Sequence, residues 1–542
     1  MKRFNKDIMI QRNIISPNED PLKVIDITVD TIMNNEKQWN SSEEIEDITS
    51  KLRQSIHEQK IVLGTQILTN ARLNKQPISA CTVIPVNLRE DYHKIRKDIE
   101  PYLKAGMGSG FCLDELEDPV QMLNYLNRLF IDTESACRRA VAGITTLRID
   151  HPRILEYIRC KQNNEYSKWR FNISVGIPKN WGNSLDLGKM NKNIIFRELV
   201  DGMFMTGEPG IIFLDKYEED NPTPQIKYES VAPCAEVALA AGEVCHFSYL
   251  NLYEFVNNNL FNFDALIEQT KLLTRFLDSC VDISIHTTFN NQSNIIKQKR
   301  KIGIGICGVA SLLFKLKLSY GCSEARSLIE NIVSVINFYS KSASIILSKE
   351  RGPFPLFKQS RYSDYKWVMR KSKYITDYVT SEMWDTLWEE ICRYGIRNSS
   401  TTAYPPTGNS SRIVYTSSGI EPMLSLLDIN DELPTELIAE LSQRLAKNEL
   451  NDTIKELRKV GKCGEIQKIP KCIKSIFVTS TELNYKSHIE MAAAIQKHND
   501  EAISKTINMP NSFMKEDIYE LIAYAYKSNL KGITVFRESE NI

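Results

Sequence analysis

No two of the twelve cysteines in this chain stand as a CxxC pair, and the nearest late pair, Cys463 and Cys472, is nine residues apart. That is poor spacing for metal ligands, and no metal site is expected. No run approaches the roughly 18 apolar residues of a membrane-spanning helix, and Met1-Lys2-Arg3-Phe4-Asn5-Lys6-Asp7 has no apolar stretch behind it. A soluble, cytoplasmic protein is therefore expected, with its cysteines as thiols and any disulfide transient and catalytic. Net charge is also missing. Lys+Arg and Asp+Glu number 68 each, so composition makes no case for nucleic acid or an anionic membrane as partner, while leaving room for a local basic pocket that takes a phosphorylated ligand. There is no internal repeat and no low-complexity tract.

What is present suits a large core: 42% of the 542 residues are apolar and 25% charged. Residues 1–60 read as polar helices, Asp20 to Lys37 and Ser42 to Gln59, with Ser41 or Ser42 as an N-cap ahead of Glu43 and Glu44. Apolar runs of four to eight residues bounded by turns, Phe171-Asn172-Ile173-Ser174-Val175 and Gly210-Ile211-Ile212-Phe213-Leu214, suit buried parallel strands.

Several stretches carry potential chemistry. Val231-Ala232-Pro233-Cys234-Ala235-Glu236-Val237 sets a cysteine two residues before a carboxylate, and Cys245 follows eleven residues after Cys234. An extended backbone at Cys234–Glu236 would point both side chains to one face, toward neighbouring atoms of one substrate. The plain alternative is that Cys234 and Cys245 are small core hydrophobes and Glu236 a solvated surface residue. The same choice applies to Cys81 in Ser79-Ala80-Cys81-Thr82-Val83-Ile84. The glycine-rich Gly106-Met107-Gly108-Ser109-Gly110 permits close backbone approach to a ligand.

Gly303-Ile304-Gly305-Ile306-Cys307-Gly308 is formally GxGxxG. Lys297-Gln298-Lys299-Arg300 gives it no preceding apolar strand, so scaffold is the better reading than a dinucleotide fingerprint. Pro406-Thr407-Gly408-Asn409-Ser410-Ser411, with Ser417-Ser418-Gly419 soon after, offers hydroxyls and N–H groups to an anion, or is an ordinary capped loop.

Taken in order, these blocks resemble the ribonucleotide reductase large-subunit family, whose radical loop runs Asn-Pro-Cys-Gly-Glu and then Cys-Asn-Leu-Gly-Ser-Ile-Asn-Leu. The resemblance covers roughly residues 60 to 540. It implies an α/β fold, a ten-stranded barrel of two five-stranded parallel half-sheets with a central finger loop. The barrel is expected at 61–542, after a short helical region at 1–60 that has no ATP cone. It also implies roles: Cys234 as the thiyl radical, Glu236 as general base, and Cys81 with Cys245 as the redox pair. Ala80, Gly108, Ala232 and the loop Pro406, Thr407, Gly408, Asn409, Ser410 and Ser411 would lie on the substrate, a ribonucleoside di- or triphosphate.

Departures refine the expectation. Thr534 and Val535 stand where partner-activated members carry two tyrosines, and Gly532 is outside the glycyl-radical motif, so the resemblance favours the adenosylcobalamin-dependent class. Ala232 replaces an asparagine. The chain passes from Leu113–Pro119 almost directly to Val120, shortening the effector region, whose later part survives as Cys137-Arg138-Arg139-Ala140. No cysteine-pair tail precedes Ile542, so an external dithiol, a thioredoxin-like reductant, is expected, with the protein a monomer or homodimer. Two other readings stay open: a radical nucleotide-modifying relative with an altered substrate, and a catalytically silent nucleotide-binding homologue or partner subunit.

Overall fold

In a computed structural model, residues 2–537 are described apart from 74–75, 138, 140, 163–168, 290–291 and 429, and apart from the side chain at 183. Arg138 and Ala140 of the effector segment and the end of the chain at 538–542 thus lie outside the described residues. No helix among the described residues is long and apolar enough to cross a membrane.

The strands, in chain order, are β1 (Ile61–Leu63), β2 (Cys81–Thr82), β3 (Gly108–Cys112), β4 (Gly143–Arg148), β5 (Phe171–Ile177), β6 (Gly210–Phe213), β7 (Ser230–Val231), β8 (Ala238–Leu239), β9 (Val244–Asn251), β10 (Val256–Asn257), β11 (Leu260–Phe261), β12 (Ile302–Cys307), β13 (Thr506–Met509) and β14 (Gly532–Arg537). Strands β2 to β6 pair in sequence, all parallel. A second parallel half runs from β9 to β12, then through single bridges at Ile304–Thr402 and Tyr404–Ile503, and finishes with β13 on β14. The halves meet antiparallel at both seams, β2 on β9 and β6 on β14. The result is the expected closed barrel of ten strand positions in two parallel fives. β1 adds antiparallel to β9, and β10 with β11 forms a small outer hairpin.

The strands are apolar because both faces are covered. β4 and β6 are almost wholly buried, and the long helices Phe263–Thr287 and Ser323–Arg351 pack outside the second half. The GxGxxG segment is β12 itself as far as Cys307, and its last glycine, Gly308, caps the helix Val309–Lys315. A Cβ at Gly303 would sit 2.4 Å from the Phe247 ring, and one at Gly305 would sit 2.7 Å from Tyr249. Its glycines let β12 close on β9, which is scaffold packing.

Residues 2–60 are helical, with helices Pro21–Met33 and Ser42–His57, the second opened by a full capping box from Ser41 and Glu44. Their apolar faces (Val24, Val29, Ile32, Leu52) join the main core. A second, separate apolar cluster lies in the helices of residues 435–476, around Leu437, Leu457 and Ile473, with Phe477 packed just beyond them.

One buried charge network ties the N-terminal helices to the barrel. Asp278, fully buried, accepts from Arg300 at 2.8 Å, Asn398 at 2.9 Å, and Arg351 and Arg397 at 3.3 Å. Arg351 also reaches the fully buried Glu36, which accepts from Arg275 at 3.0 Å. Burial pushes the Asp278 carboxyl up, and the guanidiniums of Arg300, Arg397 and Arg351 outweigh it. Removing one member strands the others as uncompensated buried charge. Asp278→Ala is therefore expected to cost about 3–5 kcal/mol, read as a lower urea midpoint at unchanged slope.

Candidate active site

β7 and β8 form a hairpin inside the barrel, and Cys234 and Glu236 sit on its tip. The glycine-rich run admits it: a Cβ at Gly110 would lie 1.9 Å from the Val231 carbonyl, and one at Gly108 would lie 3.0 Å from the Pro233 ring. These glycines are needed by the hairpin.

The tip is a turn, so the period of an extended strand does not set Cys234 and Glu236 on one face. Ala235 donates to the Ala232 carbonyl at 2.7 Å, Ala232 to that of Val237 at 2.9 Å, and Ala235 takes φ +57°. Left-handed backbone costs an alanine on the order of 1–2 kcal/mol, and the family form has glycine here. Ala235→Gly is expected to stabilise the fold by about 1 kcal/mol, after allowing for the glycine's extra freedom in the unfolded chain. Differential scanning calorimetry checks it; a lower Tm would show that the alanine methyl packs better than the turn suffers.

Three carbonyls of the tip are anchored from three elements. Asn172 of β5 donates to Pro233 at 3.3 Å, the Tyr217 hydroxyl donates to Ala235, and the Ala502 N–H donates to Glu236 at 2.9 Å. Neither Asn172 nor Tyr217 was marked as a site residue by sequence.

Cys81 and Cys245 are direct cross-strand partners in the β2–β9 seam. Opposed residues of an antiparallel pair have Cα atoms about 4.5–5.5 Å apart, which lies within the range a disulfide spans. Both are free thiols here, and Cys245 is fully buried. Arg139 closes the site beside them, donating to the carbonyls of Gly106 at 2.8 Å and Ala80 at 3.2 Å.

Charge sets what these groups can do. Cys234 is exposed at the fingertip, yet protein surrounds it closely enough that burial, then Glu236 and Cys81, push its thiol well up. Burial and Glu236 push Cys81 up to about 12, against Arg139. Cys245 is also raised well above the ordinary value, chiefly by burial. All three are therefore S–H groups at neutral pH, which argues against thiolate nucleophilic catalysis and suits transfer of a hydrogen atom. Glu236, only 2% exposed, is pushed up to about 7 by burial, against hydrogen bonds from its own N–H and that of Cys234. Its Oε2 has no hydrogen-bond partner among the described residues. Ala232, where the family carries asparagine, is fully buried.

The second half's strands end where the first half's begin, because the halves are antiparallel. The loop after Tyr404 therefore shares a mouth with Ala80, Cys81 and Gly108. Thr407 accepts from the Gly419 N–H at 2.8 Å, Ser418 accepts from the Gly408 N–H at 3.2 Å, and Ser410 donates to the Leu63 carbonyl at 3.3 Å. Ser411 donates to the Gly408 carbonyl at 2.8 Å. Pro406 and Gly408 are exposed and Asn409 half-buried, so the rim is open to a ligand.

Fold and site together define a barrel protein that carries one cysteine on an internal hairpin beside a cross-strand cysteine pair. Residues 180–536 match the family described as "Ribonucleotide reductase, barrel domain", and the chain belongs to that family. It is 31% identical over 514 residues to a vitamin B12-dependent ribonucleoside-diphosphate reductase of Thermoplasma acidophilum, covering 88% of this chain and 63% of the relative. A protein of the same description from Mycobacterium tuberculosis is 27% identical, with 87% and 69% covered. The chain thus spans about two thirds of the length of these relatives. The class Id ribonucleotide reductase alpha subunit of Actinobacillus ureae superposes with a TM-score of 0.79 over 99% of this chain and 98% of its own, at 19% identity, and shares the fold.

Proposed function

We propose that the chain reduces ribonucleoside diphosphates to 2′-deoxyribonucleoside diphosphates by thiyl-radical chemistry with adenosylcobalamin. The observation that carries this reading is the arrangement of three protonated thiols, one exposed on the finger and two paired across the seam behind it. The relatives' names supply the substrate class and the cofactor.

The residues present fit the cofactor in two respects. Cys234 is the most exposed of the three thiols, so it is the one such a group would meet, and Thr534 and Val535 place no redox-active side chain in β14 to serve a tyrosine relay. When bound, adenosylcobalamin supplies the organic radical that takes the hydrogen atom from Cys234.

The sulfur radical of Cys234 then removes the 3′ hydrogen atom, re-forming S–H. Glu236 accepts the 3′-hydroxyl proton, a role suited to a base with a pKa near 7. One thiol of the Cys81–Cys245 pair gives the proton with which the 2′-hydroxyl leaves as water, and the other gives a hydrogen atom to C2′. As the pair closes to a disulfide its remaining electron passes to the sugar, and Glu236 returns its proton to the 3′ oxygen. Cys234 returns its hydrogen atom to C3′. The sum is ribonucleotide plus dithiol giving deoxyribonucleotide, disulfide and water, and an external dithiol of thioredoxin type resets the pair. Thr407 to Ser411 hold the phosphates, with Ala80, Gly108 and Arg139 closing the sugar end.

The test is an anaerobic assay of purified, reduced protein with adenosylcobalamin, dithiothreitol and each ribonucleoside diphosphate, scoring 2′-deoxynucleotide. Product that requires the cofactor establishes the reading. The buried Ala232 and the unpartnered Glu236 Oε2 favour one alternative, a radical relative with an altered substrate; cofactor cleavage without deoxynucleotide would select it. Neither signal with any nucleotide would sink both.

A further inference from the structure

Outside the substrate loop, a cavity of about 700 Å³ opens between the helix Ser323–Arg351, the segment 370–374 and the helix Lys515–Lys527. Seven of its lining side chains are Lys or Arg against four carboxylates. Three of those carboxylates are each matched: Glu490 by Arg326 at 3.2 Å, Glu330 by Lys497 at 2.9 Å, and Glu219 by Lys216 at 3.6 Å. The fourth, Asp220, faces three cations at once, with Arg370 and Lys531 at 2.9 Å and Lys371 at 3.6 Å. Lys373, exposed at the rim, has no carboxylate partner among the described residues.

The excess is partly buried. The side chains of Lys371 and Lys531 are 7% and 4% exposed. Besides sharing Asp220 they donate to the carbonyls of Asn499 at 2.9 Å and Asp500 at 2.7 Å, which satisfy a hydrogen bond each and add no counter-charge. Burial, reinforced by Arg370 and Lys531 against Asp220, lowers Lys371 to about 8. A protein does not ordinarily bury cations beyond their counter-ions, because each uncompensated charge costs several kcal/mol of desolvation. A multivalent anion in the cavity removes that cost, and the volume is that of a small-molecule site.

We propose that this cavity is a binding site for a polyphosphate group, carried by a nucleoside triphosphate or free, held by Arg370, Lys371, Lys373 and Lys531. It stands apart from the substrate loop, so its failure would leave the reductase reading untouched. Its back wall reaches the finger by contact: Lys531 lies 5.7 Å over the Tyr217 ring, and Tyr217 holds the Ala235 carbonyl.

The experiment is isothermal titration of the whole chain with ATP, inorganic tripolyphosphate and adenosine, repeated on Lys373→Glu/Lys216→Glu and on Thr407→Val. Lys373 is exposed, and Lys216, 16% exposed, pairs with Glu219 and not with the Asp220 cluster, so the buried cations stay in place. Circular dichroism and an unchanged urea midpoint establish that the variant folds before its binding is scored. ATP is expected to bind with a Kd below about 1 mM. The double variant is expected to bind about tenfold or more weakly, with Thr407→Val unchanged at this site and adenosine silent. Tripolyphosphate binding as tightly as ATP identifies the phosphates alone as the ligand; tighter ATP identifies a nucleotide. The proposal is overturned by any of three results: no saturable triphosphate binding, equal affinity in the double variant, or loss of all binding in Thr407→Val.

Discussion

Cys234→Ala is expected to abolish deoxynucleotide formation, a fall of at least about 10⁴-fold set by the assay floor, with folding stability changed by less than about 0.5 kcal/mol. The two halves of that expectation have separate causes. Cys234 is exposed, so removing its sulfur leaves no cavity in the core. The turn that carries it is held by backbone carbonyls of Pro233, Ala235 and Glu236, none of which needs the thiol. Activity has no such redundancy, because no other S–H lies on the exposed tip. Cys81 and Cys245 give the same experiment a second readout. After anaerobic incubation with cofactor and substrate but no dithiol, peptide mass spectrometry of the parent is expected to show a Cys81–Cys245 disulfide, as their cross-strand register allows. In Cys234→Ala both stay reduced. Product from the variant would move the radical off Cys234. A disulfide formed without substrate would make the pair a general redox couple unconnected to turnover.

The sequence made some of this architecture legible and hid the rest for identifiable reasons. β6 reads as a buried parallel strand because Ile211-Ile212-Phe213-Leu214 is an unbroken apolar run, and β5 reads so from Phe171, Ile173 and Val175 although Asn172 and Ser174 interrupt them; the structure has both strands. GxGxxG read correctly as scaffold because nothing strand-like precedes it. The strand position at Thr402–Tyr404 carries only single bridges, and β2 is two residues long, so neither gives a period to detect. The left-handed turn of the fingertip is not legible, because alanine at 235 hides what glycine would signal. Tyr217 and Asn172 belong to no local motif; they matter only because the barrel brings them to carbonyls 18 and 61 residues away. Paired thiols were likewise invisible to spacing, since Cys81 and Cys245 look like core cysteines and Cys245 is in fact fully buried. The resemblance supplied the pairing and the β2–β9 register accounts for it physically.

Glu236→Gln is expected to lower turnover by about 10²–10⁴-fold while making the protein more stable above neutral pH. Glutamine keeps the shape and cannot accept the 3′-hydroxyl proton. In the parent, kcat/KM should rise with pH and level off above a midpoint near 7, where burial has moved the carboxyl; the variant should lose that limb. The stability effect runs the other way. The native carboxyl holds its proton up to about 7, whereas the unfolded chain releases it near 4.5. The native state therefore binds more protons across that window, and its advantage is fully present below 4.5, falls as pH rises toward 7, and is flat above. The shift corresponds to on the order of 3 kcal/mol. Glutamine does not ionise, so the variant and parent should unfold alike in urea near pH 4 and diverge by pH 8, with the variant ahead. A parent as stable as Glu236→Gln at pH 8 would show that Oε2 finds a partner in solution and that the carboxyl is not held ready as a base. A gap that opens between pH 4.5 and 7 and coincides with the activity limb would tie both effects to one proton. It would also show that the site keeps Glu236 dry and unpaired at a cost to the fold.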